Sequence, residues 1–137
     1  MQGTNGKVGI VGGMKMGITE DGIKGEQKLF KWLKDKKRTF FQPDAISFED
    51  GGWIINECKN QEHFKAPPFD GHGLPPSQVE MRIWFWELTN IRCRFIIFEK
   101  GTNDIYWQWL DVLEKGEYFD TTTNVRRIYP LTAFNKE

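Results

Sequence analysis

At 137 residues the chain has single-domain length, and with 39% hydrophobic and 15% aromatic residues it has globular composition, which excludes a disordered chain. Nineteen basic and nineteen acidic residues cancel, so no overall field draws the molecule to nucleic acid, and such a partner must be met by local patches or a recruited cation. No apolar run is long enough for a membrane-spanning helix, and the first six residues carry no apolar signal core, so the expectation is a soluble, cytoplasmic protein with no membrane partner.

Residues 1–21 are rich in glycine and read as an irregular arm. Gly9-Ile10-Val11-Gly12-Gly13-Met14-Lys15 lacks the ending of a phosphate-binding Walker loop and the spacing of a dinucleotide fingerprint. One domain is expected over 22–137. From Gly22 to Lys37 the spacing predicts a helix with Ile23, Leu29, Phe30 and Leu33 on one face, and Lys24, Lys28, Lys31 and Asp35 on the other. Glu26 falls inside the apolar face, where a carboxylate is costly to bury without a partner.

Three strands are predicted next, at Arg38–Gln42, Asp44–Phe48 and Trp53–Asn60. Asp50-Gly51 is the hairpin turn between the last two. A Pro- and Gly-rich loop is expected from Gln61 to Pro76, with a helix at Ser77–Thr89 and a strand at Arg92–Glu99. Ile105–Leu113 reads as a strand passing into a helical turn, and Val125–Tyr129 as a last strand. In the second helix Met81, Trp84, Phe85 and Leu88 read as core. Val79, Ile83 and Trp86 make its other side apolar too, which points to burial between layers or to a homodimer contact. Cys58 and Cys93, both in strands, read as small buried hydrophobes.

The hairpin supplies the chemistry. With Asp50-Gly51 as the turn, Phe48 faces Trp53, Ile46 faces Ile55 and Asp44 faces Glu57, and Lys59 shares their side of the sheet. Two apposed carboxylates must share a proton or take up a cation, and an all-oxygen pair suits Mg²⁺ or Mn²⁺. The plainer alternative is a solvated polar rim in which Lys59 neutralises one acid. The loop after Lys59 holds the only two histidines, His63 and His72, whose spacing fits no standard zinc pattern. His63 and Lys65 are placed to touch phosphate, with Phe64 or Phe69 stacking on a base. Alternatively, the loop's aromatics only pin it to the core. Trp107 and Trp109 read as core rather than as a stacking pair.

Pro43-Asp44, twelve intervening residues and Glu57-Cys58-Lys59 resemble the PD-(D/E)xK nuclease signature, and the predicted order over Gly22–Glu99 is similar to that superfamily's αβββαβ core. The resemblance implies an α/β, restriction-endonuclease-like fold, a mixed central sheet flanked by helices, and Mg²⁺- or Mn²⁺-dependent hydrolysis of DNA (RNA being left open). A structure-selective, resolvase-like endonuclease is the preferred branch. It implies Asp44, Glu57 and the Cys58 carbonyl as metal ligands, with Glu26 adding a carboxylate directly or through water. Lys59 becomes the water-orienting lysine, and Gln78 a residue near the scissile phosphate unless it only caps its helix. Lys24, Lys28, Lys31, His63, Lys65 and Arg82 are the candidate substrate contacts, although Arg82 reads first as a plain surface charge. The rival functions are a non-catalytic nucleic-acid-binding protein on the same fold and an aromatic-rich assembly domain.

Overall fold

The computed structural model describes residues 19–66, 68–122 and 125–137, and nearly all of the glycine-rich segment lies outside them. The chain divides into two compact units that meet in sequence between Ile46 and Ser47.

The first unit is built on α1 (Glu20–Asp35). Thr19 caps it by accepting the Gly22 amide at 2.9 Å, and Glu20 and Asp21 complement the helix dipole. The helix stops in a Schellman turn. Lys37, at φ 56°, donates to the Lys34 carbonyl, and Arg38 donates to that of Leu33. This reversal explains why the strand expected at Arg38–Gln42 is absent. The chain turns back along the helix, Phe40 stacks on Phe30 at 5.4 Å between centroids, and Gln42 Nε2 donates to Glu26 Oε2 over a long 3.4 Å. Glu26 thus has the partner its position demanded. No residue of α1 is buried, Ile23, Leu29 and Trp32 included.

In the second unit, β1 (Ala45–Glu49), whose residues from Ser47 belong here, and β2 (Gly52–Gln61) form the expected hairpin. Asp50 and Gly51 both have positive φ, 51° and 80°, as a type I′ turn requires, and Phe48 meets Trp53 edge to face at 5.1 Å. The segment read as one loop is instead β3 (Phe64–Ala66) and β4 (Phe69–Leu74), an antiparallel pair. Then follow α2 (Pro76–Thr89), β5 (Cys93–Glu99), β6 (Ile105–Trp109), α3 (Leu110–Lys115), β7 (Phe119–Asp120), β8 (Arg127–Pro130), a 3₁₀ turn at Leu131–Ala133 and β9 (Asn135–Lys136).

A mixed five-stranded sheet has the order β1-β2-β5-β6-β9, with β2 and β5 parallel and β5, β6 and β9 antiparallel. An antiparallel sheet of order β3-β4-β8-β7 accompanies it. The molecule is therefore a mixed α/β protein, with a second sheet where the sequence suggested a loop. Register decides what is buried. Ile55, Glu57, Lys59 and Gln61 lie beside Cys93, Phe95, Ile97 and Glu99, and Phe95 and Ile97 lie beside Gln108 and Tyr106. Because alternate residues share a face, these line one side of the sheet. Its core residues Ile55, Cys93, Phe95 and Ile97 are buried, as are Val79 of α2, Leu110 and Leu113 of α3, and Leu74, Ile128 and Tyr129 of the second sheet. α2 packs on α3 and β5, and α3 on β5 and β6.

Gly71 and Gly73 let β8 approach β4. A Cβ at either would lie 2.0 Å from the backbone oxygen of Tyr129 or Arg127, closer than any real contact. His72, between them, points from β4 onto the five-stranded sheet, where Tyr106 and Phe134 surround it.

Two burial expectations are corrected. The inward side of α2 is Val79 and Arg82, while Trp84 and Leu88 of the expected core stripe are 45% and 66% exposed. Cys58 is exposed and only Cys93 is buried, because β2 turns Cys58 to the sheet's other face, beside Ile96.

Candidate functional site

The parallel pairing of β2 with β5 sets Glu57 beside Phe95 and Lys59 beside Ile97, on the buried face. Glu57 is 5% exposed, and a carboxylate so enclosed requires a counter-charge. Arg82 provides it from the inward side of α2. Its Nε and Nη2 lie 3.0 and 2.9 Å from Glu57 Oε2, and Nη1 donates to the Gln78 carbonyl at 3.3 Å. Arg82 is itself 6% exposed, so the surface, substrate-contacting role considered for it gives way to a buried ion pair. The helical wheel concealed this, since both flanks of α2 are apolar and the partner lies 25 residues upstream.

Lys59, two residues beyond Glu57 on the same face, is half-buried and makes no ion pair among the described residues. Gln78 is half-buried in the first turn of α2. The capping role weighed for it does not fit, because the N-cap is Pro75, which has no N–H for a side chain to satisfy. Asp44 stands exposed at a bend directly before β1, and Glu26 is half-buried in α1, both within the first unit. Lys24, Lys28 and Lys31 are exposed on α1, with Lys31 Nζ 2.7 Å from Asp35. Among the described residues, no group of three or more His, Cys, Asp or Glu is gathered to hold a metal ion.

Beyond Lys59 the same face carries a polar cluster that the sequence reading missed. Gln61 lies beside Glu99 in the sheet register, and His72 sits against both. His72 is fully buried, with Nε2 2.7 Å from Glu99 Oε2 and Nδ1 3.0 Å from Gln61 Oε1. His63 Nδ1 lies 3.0 Å from the same Glu99 oxygen, and Thr102 Oγ1 donates to Glu99 Oε1 at 2.9 Å. Burial pushes the Glu99 carboxyl up, but hydrogen bonds from His72, Thr102 and His63 outweigh it and hold the group below its ordinary value. Burial pushes His72 below the usual histidine range, with the Glu99 contact only partly offsetting it. A neutral His72 donates through Nε2 to the ionised Glu99. Its Nδ1 is then an acceptor, which the Gln61 amide meets with its nitrogen once the nearly symmetric oxygen and nitrogen are exchanged from the placement that sets Oε1 toward the ring. The legible signal was Gly71-His72-Gly73, a histidine seated where two glycines admit a neighbouring strand.

His63, Phe64, Lys65, Glu99, Lys100 and Thr102 line an open cleft of about 510 Å³ at the end of this row. The structure thus brings His63 and Lys65 to one opening, as the sequence reading grouped them. On the opposite sheet face Arg94 bridges Asn56 and Glu49, Arg92 forms a two-pronged pair with Asp111, and both guanidiniums lie over Trp109. Trp107 and Trp109 meet edge to face at 6.1 Å and are half-buried. No family model matches the chain, and no curated protein sequence matches it.

Proposed function

We propose that the chain is a metal-dependent nuclease of the PD-(D/E)xK kind, with a restriction-endonuclease-like core, hydrolysing DNA phosphodiesters. The observation carrying this reading is the register that sets Glu57, nearly buried, and Lys59, half-buried two residues along, on one face of β2. Asp44 enters from the sequence, through the period-2 count outward from the Asp50-Gly51 turn. Hard oxygen donors suit Mg²⁺ or Mn²⁺, which hold one or two carboxylates and complete their shell with water and substrate phosphate. Glu57, Asp44 and the Cys58 carbonyl are the residues assigned to hold it, with Glu26 in reserve. When bound, such an ion lowers the pKa of water and offsets charge on the phosphate.

The protein's own residues complete the assignment. Lys59 holds and orients the attacking water and stabilises charge developing on the phosphoryl oxygens. Arg82 positions Glu57, a role that replaces direct substrate contact. Gln78, with no cap to make, is assigned to the scissile phosphate. The exposed Lys24, Lys28 and Lys31, and Lys65 at the cleft, supply local positive charge in a neutral molecule.

One observation favours a second reading. Arg82 already neutralises Glu57, as a purely structural ion pair would, and this suits a nucleic-acid-binding protein without catalysis. Incubating the purified chain with linear, circular and branched DNA in Mg²⁺, Mn²⁺ or EDTA separates the two. Metal-dependent strand breaks support the nuclease, whereas binding that persists in EDTA with no breaks in any metal supports the alternative.

A further inference from the structure

The cleft beyond Lys59 presents a second arrangement, independent of the nuclease reading. Glu99 is hydrogen-bonded at both oxygens, and the His63 nitrogen facing it, Nδ1, is placed as a donor. In neutral imidazole the lone pair then belongs to Nε2. That atom lies 3.7 Å from Asp70 Oδ2, another acceptor, on β4. His63, which lines the cleft, is 22% exposed in its side chain and Asp70 54%, so both reach solvent. Two lone-pair atoms facing each other at this distance repel unless positive charge lies between them.

We propose that His63 Nε2 and Asp70 Oδ2 form a binding site for a divalent transition-metal ion of the zinc or nickel class, with water filling its remaining positions. Ligands that each sit about 2.0–2.2 Å from such an ion span up to roughly 4.2 Å, so a 3.7 Å separation fits without backbone movement, at an angle wider than tetrahedral. Imidazole nitrogen favours these ions over Mg²⁺, which separates this site from the all-oxygen set assigned at Glu57. Glu99 performs the supporting role found behind metal-binding histidines, accepting the other ring N–H and fixing the ring. Buried His72 and Thr102 in turn fix Glu99. With two protein ligands the site is weaker than a structural zinc centre, in keeping with the absence of a three-residue cluster among the described residues.

The charges facing His63 are Glu99 from β5, Asp70 and neutral His72 from β4, Lys65 from β3, and Glu62 and Lys100 at the rim. Lys65 stands opposite Asp70 in the β3–β4 register, but it and Lys100 are exposed and water screens their repulsion.

The test is calorimetric titration of the full chain with Zn²⁺ and with Ni²⁺ at pH 7.5, paired with histidine ring nitrogen NMR. Wild type is expected to bind an ion between His63 and Asp70, read by displacement of the His63 Nε2 resonance and by heat that the His63 and Asp70 variants lose. Asp70→Asn and His63→Gln, both at solvent-reaching positions, should each weaken binding a hundredfold or more. Glu99→Gln should weaken it about 10–100-fold. Equal binding in wild type and His63→Gln, or no binding at all, would overturn the site. So would a His63 ring protonated at both nitrogens at pH 7.5 that added metal does not displace, since a proton would then be the cation between the two groups.

Discussion

Replacing Arg82 by alanine tests the electrostatics of the proposed centre without touching a residue assigned to hold metal. The change removes both the 3.0 and 2.9 Å contacts to Glu57 Oε2 and leaves that carboxylate, 5% exposed, with its main counter-charge gone. Breaking one side of a buried ion pair typically costs about 3–5 kcal/mol, because the remaining charge stays desolvated. That is a large part of the roughly 5–15 kcal/mol holding a domain together. With a urea dependence of about 2 kcal/mol per molar, the midpoint should fall by about 2 M. Adding Glu57→Gln to Arg82→Ala should recover most of the loss, since a neutral amide is cheaper to enclose than a carboxylate. Urea unfolding followed by tryptophan fluorescence, with and without millimolar Mg²⁺, provides the comparison. If Glu57 holds metal, Mg²⁺ should stabilise Arg82→Ala more than wild type, because the orphaned carboxylate gains its missing cation. A loss below about 1 kcal/mol, the range of an exposed pair, would show that Glu57 and Arg82 are not enclosed together.

Gly71→Ala should destabilise the fold by several kcal/mol, about 3 or more, because its methyl would meet the Tyr129 carbonyl at 2.0 Å, and a thermal melt that moves by less than a few degrees would contradict that close approach. Stability should fall with acid in two stages. His72, whose folded pKa is depressed, loses stability for the protein as pH drops below its unfolded value near 6.5, since only the unfolded state then binds the proton readily. Glu99, also depressed, keeps its contribution above about pH 4.5 and loses it as pH falls toward the folded value; a urea midpoint flat from pH 7 to 4.5 would contradict the His72 assignment, and one that stays flat below pH 4.5 the Glu99 assignment. Changing Lys24, Lys28 and Lys31 together to glutamine should weaken DNA binding equally for all sequences and flatten its salt dependence, as read by fluorescence anisotropy across a salt series. Unchanged affinity would place the DNA path away from α1.

Local signals survived the step from sequence to structure where a turn or period was chemically explicit. Asp50-Gly51 fixed the hairpin because both residues tolerate positive φ, and the passage from Ile105–Trp109 into Leu110–Lys115 followed the change from strand to helix pattern. Arg38–Gln42 was misread because Thr39, Phe40 and Phe41 favour strands, while the Schellman turn at Lys37 sends them back along α1. β3 and β4 were hidden because glycine and proline punctuate loops. Here Gly71 and Gly73 instead mark where β8 comes close, a contact with residues more than fifty positions away. The site divides along the same line. Glu57 and Lys59 were legible from strand period, whereas Arg82 and the Gln61–His72–Glu99 cluster depend on tertiary partners that no local pattern announces.

The decisive measurement is single-turnover cleavage of supercoiled circular DNA in Mn²⁺ by wild type, Glu57→Gln and Lys59→Ala, with Mn²⁺ affinity measured for each protein. If Glu57 and Lys59 are the catalytic pair, Glu57→Gln loses both cleavage and Mn²⁺ affinity. Lys59→Ala then keeps its Mn²⁺ affinity but slows cleavage about a thousandfold, because the lysine acts on water and on developing charge rather than on the ion. Cleavage by Lys59→Ala near the wild-type rate would contradict that assignment, as would equal Mn²⁺ affinity in Glu57→Gln and wild type.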